Sequence, residues 1–228
     1  DYKDTGDPVF ASKIYNSQYV DELIFIDIDA TNEDRNPNID ILKKVSKVCF
    51  MPFTIGGGIK NIDQIRELLL NGADKVMINT AAAMDTQFIL DAVDLFGSQC
   101  IVIGIDVKRN EDHYAVYTNS GKKKHSDSLK DHLSKIEKLK VGEIFINSID
   151  NDGMMNGYDL DLIKFVSSKI SIPFIASGGA GNFSHLYDAF NETDVSALAM
   201  ASIYHFSDNN PIRCRSFLKN KGINLKVV

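Results

Sequence analysis

Asp106 closes the apolar run Ile101-Val-Ile-Gly-Ile105, and two glycine clusters, Ile55-Gly56-Gly57-Gly58-Ile59 and Ser177-Gly178-Gly179-Ala180-Gly181, close two others. A carboxylate at the end of a buried strand is a candidate general acid or base, although strand-end carboxylates also cap helices. Glycine lets backbone N–H groups close on a phosphate, particularly where a helix N-terminus follows. Asn79-Thr80 follow the first cluster, and Ala201-Ser202 the second, each roughly 22 residues on, adding amide and hydroxyl donors. Either cluster alone is equally well a tight strand-to-helix turn. Repeated with matched donors, the pair suits an elongated ligand phosphorylated at both ends. Asp27, Asp150 and Asp152 approach the same face, and Asp27 reads as a residue that binds or orients ligand. Gly179-x-Gly181 lacks the full G-x-G-x-x-G spacing, which argues against a dinucleotide fold.

Glu22, Lys75 and Glu143 begin strands rather than end them. Alternate strands of a barrel share an interior layer, so these three can meet around the axis at the opposite face. Two carboxylates and one ammonium leave a net negative charge, and a buried unpaired charge is costly, so a further cation is expected from upstream. Simple exposure at the strand entrances is the alternative. His113, His125, His132, His185 and His205 form no H-E-x-x-H or other short ligand motif, and no G-x-S-x-G elbow occurs. Asp150-Asn151-Asp152-Gly153 lacks the remaining ligands of a calcium loop and reads as an Asx-type turn. No metal, no cofactor and no serine nucleophile is expected.

The elements that must position these residues alternate. Apolar runs at Leu23 to Ile28, Phe53 to Ile55, Val76 to Ile78, Ile101 to Ile105, Ile144 to Ile146, Phe174 to Ala176 and Ala197 to Ile203 lack in/out alternation, as in a parallel sheet buried on both faces. Between them lie Ile39 to Val48, Ile62 to Asn71, Gln87 to Leu95, Leu129 to Leu139, Leu160 to Ser168 and Phe183 to Phe190, with apolar residues at helical spacing. The longest interval holds Tyr114 to Thr118 and Ser120 to Lys124, a hairpin or lid.

A shift of 121 residues carries Glu22-Leu-Ile-Phe-Ile-Asp27-Ile-Asp29 onto Glu143-Ile-Phe-Ile-Asn-Ser148-Ile-Asp150, and Gly57-Gly58 onto Gly178-Gly179. One inserted residue then brings Asn79-Thr80 onto Ala201-Ser202. Two such repeats of four β/α units make an α/β (β/α)8 TIM barrel of two half-barrels. Seven strands are visible, so the first β-strand is expected upstream of residue 1. The chain 1–228 then reads as a single barrel domain, incomplete at its N-terminus.

Among 228 residues, 25 basic against 31 acidic side chains give a net charge of −6, which argues against a nucleic-acid surface. The composition, 44% hydrophobic and 25% charged, is that of an ordinary globular protein, and no apolar run approaches a membrane span. The three scattered cysteines form no disulfide framework, and no secretory apolar region opens the chain, so a cytoplasmic location is expected.

These residues resemble a known family, the cyclase subunit of imidazole glycerol phosphate synthase from histidine biosynthesis. The marks run from Gly6-Asp7-Pro8-Val9 through Asp21-Glu-Leu-Ile-Phe-Ile-Asp27, Gly72-Ala-Asp-Lys-Val76, Ile78-Asn-Thr-Ala81, Phe96-Gly-Ser-Gln99, Ile105-Asp106-Val-Lys-Arg109, Gly157-Tyr-Asp159 and Ala176-Ser-Gly-Gly-Ala-Gly181. The resemblance implies a bis-phosphorylated aminoimidazole carboxamide ribotide precursor at the C-terminal face. Asp27, Gly57, Gly58, Asn79, Thr80, Asn147, Asp152, Ser177, Gly178, Gly179, Ala201 and Ser202 would then line its site. It implies a glutamine amidotransferase partner at the bottom face, with Glu22, Lys75 and Glu143 in a charged ammonia gate whose arginine lies before residue 1. Asp106 becomes one of two catalytic aspartates, the other belonging to the upstream strand.

Four positions depart from that pattern. Asn147 replaces a usual Thr, Met154 follows Asp152-Gly153 where Thr is usual, Lys124-His125-Ser126 replaces Asn-Thr-Gly, and Asp29 replaces Thr. In these respects the chain resembles paralogues that supply ammonia, with a glutaminase, for amidino-sugar synthesis in surface polysaccharides. A single-subunit phosphosugar isomerase on the same half-barrel plan is a third reading, with no use for the gate.

Overall fold

The computed structural model describes residues 4–111 and 113–226. In chain order the strands are β1 (Leu23–Ile26), β2 (Phe53–Gly56), β3 (Lys75–Ile78), β4 (Ile101–Asn110), β5 (His113–Thr118), β6 (Lys123–Ser128), β7 (Glu143–Ser148), β8 (Phe174–Ser177) and β9 (Ala197–Leu198). The helices are α1 (Pro8–Ser17), α2 (Ile39–Ser46), α3 (Ile62–Leu70), α4 (Thr80–Met84), α5 (Thr86–Phe96), α6 (Leu129–Glu137), α7 (Leu160–Ser167), α8 (Phe183–Glu192), α9 (Ser202–His205) and α10 (Pro211–Asn220). Seven strands pair in parallel in the order β1-β2-β3-β4-β7-β8-β9, and β5 and β6 extend β4 as an antiparallel hairpin. This is a TIM-barrel-like α/β fold.

Seven flat strands would hold the two sheet edges roughly 29 Å apart at the usual interstrand spacing. Instead, the elements flanking β1 and β9 touch. The Tyr15 hydroxyl of α1 lies 3.2 Å from His205 Nε2 of α9, and Arg215 of α10 donates to Asp21 at 2.8 Å and to the Tyr19 carbonyl at 3.1 Å. The sheet is therefore curled. Strand residues pointing outward join the helices in the main core, with Ile55, Ile78, Ile103, Leu42, Ile65 and Leu133 almost wholly inaccessible. Those pointing inward form a second, smaller cluster of Met77, Val102, Phe145 and Ile175, with Ile24, Ala197 and Ala199 against it.

The duplication is exact in register. Leu23 pairs with Phe53 and Ile26 with Gly56, while Ile144 pairs with Phe174 and Asn147 with Ser177, the same pairs shifted by 121. Thr54 pairs with Lys75 and Ile175 with Ala197, which places the one-residue insertion between β8 and β9. Caps repeat too. Asn61 and Asn182 adopt φ/ψ of −151/167 and −153/171 and accept first-turn amides of α3 and α8. Such caps satisfy N–H groups that a helix start leaves without partners.

One strand is shorter than its apolar run suggests. Ala197 to Ile203 yields only Ala197–Leu198 as strand, because Ala201, at φ −130 and ψ −59, turns the chain into α9. Four helices, α1, α4, α9 and α10, join the alternating segments expected from periodicity. Of these, α1 and α10 start with Pro at N1, each preceded by a cap, Asp7 or Asn210, that accepts from Val9 N or Arg213 N.

Candidate active site

The C-terminal ends of the parallel strands open on a cavity of about 1390 Å³. Asp27, Gly57, Gly58, Asn79, Thr80, Asp106, Asn147, Asp152, Ser177, Gly178, Gly179, Ala201 and Ser202 all line it, whereas Asp150 lines a separate pocket and accepts from Arg109 N at 2.8 Å. Asp106 sits among them on β4. Its Oδ2 accepts from Asn79 Nδ2 at 2.9 Å and its Oδ1 from Asn147 Nδ2 at 3.3 Å. Burial pushes the Asp106 carboxyl above the ordinary carboxylate value, the two amides oppose that rise, and the charge of Asp152 adds to it. Asp152 is raised by burial as well, against hydrogen bonds from Gly153 and Asn147. Asp106, half-buried, and Asp152, more exposed, repel one another across the Asn147 amide and can exchange protons with a reacting group closer to neutrality than free aspartates.

The glycines are sterically required. At Gly57, φ +103, an added Cβ would meet the Asp27 carbonyl at 2.2 Å; at Gly178, φ +96, it would meet the Ser148 carbonyl at 2.6 Å. Asp27 and Ser148 are themselves repeat partners, so both turns cross the preceding strand end in the same way. Gly179, φ +107, is tighter, with Gly157 O at 2.0 Å from the hypothetical Cβ. Neither α4 nor α9 has a side-chain cap, and Asn79, at the cap position of α4, turns to Asp106 instead. The first-turn amides of both short helices thus lack a side-chain partner at the cavity wall.

Asp27 is held by Arg35, whose NH1 and NH2 donate to Oδ2 at 2.9 Å and Oδ1 at 3.2 Å, and by the Ala30 amide at 3.1 Å. This fork fixes the loop after β1. The β5–β6 turn reaches over the mouth: Asn119 N donates to Thr80 Oγ1 at 3.0 Å, and Ser120 Oγ to the Ile28 carbonyl at 2.6 Å. Ser120 falls in the expected hairpin or lid, whereas Arg35 escapes sequence reasoning because it lies in a segment without periodicity.

At the other end of the strands, Lys75 Nζ donates to Glu22 Oε2 at 2.9 Å and to Glu143 Oε1 at 2.7 Å. Thr54 Oγ1 donates to Glu22 Oε1 at 2.6 Å, while Glu143 Oε2 is buried without a hydrogen-bond partner among the described residues. Burial opposes the Lys75 ammonium, but the two carboxylates outweigh it and hold its pKa above the ordinary lysine value. The three side chains are 17 to 27% exposed. They form a half-buried polar layer beneath the inner apolar cluster, and the orphaned oxygen is where the net negative charge is uncompensated.

Fold and site together define a duplicated (β/α)8-type barrel with a buried carboxyl group in its mouth and a charged layer at its base. The family described as "Histidine biosynthesis protein" matches residues 1–210. The chain belongs to that family. It is 44% identical over 228 residues to the imidazole glycerol phosphate synthase subunit HisF of Hydrogenobaculum sp., covering 100% of the chain and 90% of that protein. It is 42% identical over 226 residues to the subunit of the same name from Bacillus licheniformis (98% and 90% covered). Against that of Natranaerobius thermophilus the identity is 42% over 222 residues (97% and 88% covered). Among the described residues no helix is long and apolar enough to cross a membrane.

Proposed function

We propose that this chain is the cyclase subunit of imidazole glycerol phosphate synthase, a single barrel domain that acts with a glutamine amidotransferase. It takes ammonia and a bis-phosphorylated formimino aminoimidazole carboxamide ribotide to imidazole glycerol phosphate and aminoimidazole carboxamide ribotide. The observation that carries the reading is the pair of equivalent glycine turns and uncapped helix starts on either side of Asp106. Each cradle, Gly57, Gly58, Asn79 and Thr80 or Ser177, Gly178, Gly179, Ala201 and Ser202, takes one phosphate through backbone N–H groups and hydroxyls. The reacting centre then lies between them, beside Asp106.

Ammonia attacks the ketone carbon of the ligand's open-chain sugar. Asp106, with its pKa raised by burial, gives a proton to the departing hydroxyl as the imine forms. The nitrogen from ammonia then bonds the formimino carbon, the bond from that carbon to the ribotide's amine breaks, and the proton lost by the closing ring is returned through Asp106 to the departing amine. Asn79 and Asn147 hold the carboxyl toward the cavity, and Asp152 keeps its proton affinity high. Asp27 acts through the loop that Arg35 fastens. At the base, Glu22, Lys75 and Glu143 admit ammonia from the partner's side, their charges screening the opening from apolar closure.

A second reading, ammonia delivery for amidino-sugar synthesis without cyclisation, is favoured by Asn147, Met154, His125 and Asp29 at the four departing positions. One assay separates the two. The chain is given ammonium salt and the bis-phosphate precursor, and precursor loss is followed. Turnover that Asp106→Asn reduces by a factor of about 10² to 10⁴ supports the cyclase. Undiminished turnover in that variant removes Asp106 from its role, and binding without turnover in the unaltered chain selects ammonia delivery.

A further inference from the structure

His125 and Asp127 on β6 and His132 on α6 lie together outside the cavity, with one potential ligand atom from each within 4.8 Å of the others. The two imidazole rings are 5.5 Å apart between centroids. His132 is only 4% exposed, and its ring packs against that of His125.

The tautomer of His125 follows from its neighbours. Its Nε2 lies 3.1 Å from the Ala83 carbonyl, which can only accept, so Nε2 carries the proton. Nδ1 then accepts from the Asp127 N–H at 3.1 Å, a contact that a bound ion would displace. An imidazole that donates one N–H to a backbone carbonyl has the outer-sphere partner of a metal-ligating histidine in place. Asp127 is paired with Lys135 at 2.6 Å, but Lys135 is 55% exposed and can turn to water at little cost.

We propose that His125, Asp127 and His132 bind a zinc ion, two imidazoles and one carboxylate leaving a fourth position for water. Tetrahedral Zn–N and Zn–O bonds of about 2.0 to 2.1 Å bring neighbouring ligand atoms to roughly 3.4 Å, so closure asks for side-chain rotation rather than backbone movement. The ion fastens the end of the β5–β6 hairpin to the first turns of α6. That hairpin also hydrogen-bonds α4 through Ala83 and covers the mouth through Asn119 and Ser120. The residues are i, i+2 on a strand and i+7 in the following helix, a spacing no short ligand motif describes.

The test uses the full chain stripped with chelator and titrated first with Co²⁺, then with Zn²⁺ against a chromophoric competitor. One equivalent of Co²⁺ should bind with the intense visible band of a four-coordinate site, and Zn²⁺ should displace it. His125→Ala, at a half-buried position, and His132→Leu, which keeps the volume, should each lose at least about a hundredfold in Zn²⁺ affinity, since even outer-sphere losses cost 10- to 100-fold. Zinc should raise the melting temperature of the unaltered chain but not of the variants. Far-UV circular dichroism establishes that the variants fold, and His185→Ala should bind as the unaltered chain does. Retention of the cobalt band in His125→Ala, its loss in His185→Ala, or no saturable Co²⁺ binding at all, would overturn the assignment.

Discussion

Replacing Lys75 by Met removes the ammonium but keeps the aliphatic stem, and strands Glu22 and Glu143 in a layer only about a quarter exposed. Removing one partner of a fully buried ion pair costs about 3–5 kcal/mol. Partial access of water to these carboxylates lowers that to about 2–3 kcal/mol. For a chain of this length 1 kcal/mol is worth about 2–4 °C, so the melting temperature should fall by roughly 4–12 °C. The triple variant Glu22→Gln, Lys75→Met, Glu143→Gln should recover most of the loss, because it leaves no unpaired charge and Gln at position 22 can still accept from Thr54. The pH dependence has a definite sign. Because folding raises the Lys75 pKa, its contribution is fully present below the unfolded value near 10.4 and is lost as pH rises through the folded value. The gap between the two proteins should therefore narrow as pH rises above about 10. Urea unfolding at a series of pH values measures it. A single variant within 0.5 kcal/mol of the unaltered chain at pH 7, or a triple variant no more stable than the single, refutes the layer as a coupled unit.

Two further outcomes follow from the mouth. Asp106 has a raised folded pKa, so its ionisation costs stability above that value and the cost fades as pH falls toward the unfolded value near 3.9. Asp106→Asn should accordingly be more stable than the unaltered chain at pH 7, with the advantage shrinking in acid; urea midpoints at pH 7 and pH 4 check both the sign and the trend. Gly179→Ala forces a Cβ to within 2.0 Å of Gly157 O at φ +107, whereas Gly153→Ala, at φ +76, meets open space. The first should cost well over about 2 kcal/mol and the second about 1–2 kcal/mol, from the left-handed backbone alone, as read from thermal unfolding.

Much of this architecture is legible in the residues. Phe53 to Ile55 and Ile101 to Ile105 are apolar on both faces because helices cover one side and the inner cluster the other, and both appear as strands. The 121-residue repeat survives in register, in caps and in the glycine turns because each of these depends on local backbone geometry that the repeated residues encode. The run Ala197 to Ile203 misleads beyond Ala199, whose N–H still donates to the Ala176 carbonyl at 2.8 Å, since Met200 and Ala201 line the cavity instead. The start of α1 carries a legible signal in Asp7-Pro8, a cap followed by Pro at N1, and Asn210-Pro211 repeats it for α10. The Asp27–Arg35 fork and the His125, Asp127, His132 group are not legible. Their side chains meet only once a loop or hairpin wraps, and no local periodicity records that wrapping.

The central claim, that one ligand spans two equivalent anion cradles with Asp106 between them, is tested most directly by phosphorus NMR of the bis-phosphate precursor titrated with the Asp106→Asn chain. The account predicts that both phosphate resonances shift and saturate together at one ligand per chain, and that Gly57→Ala and Gly178→Ala each abolish the response of a different phosphate. A single responding phosphate, or two that saturate at different ligand ratios, contradicts it.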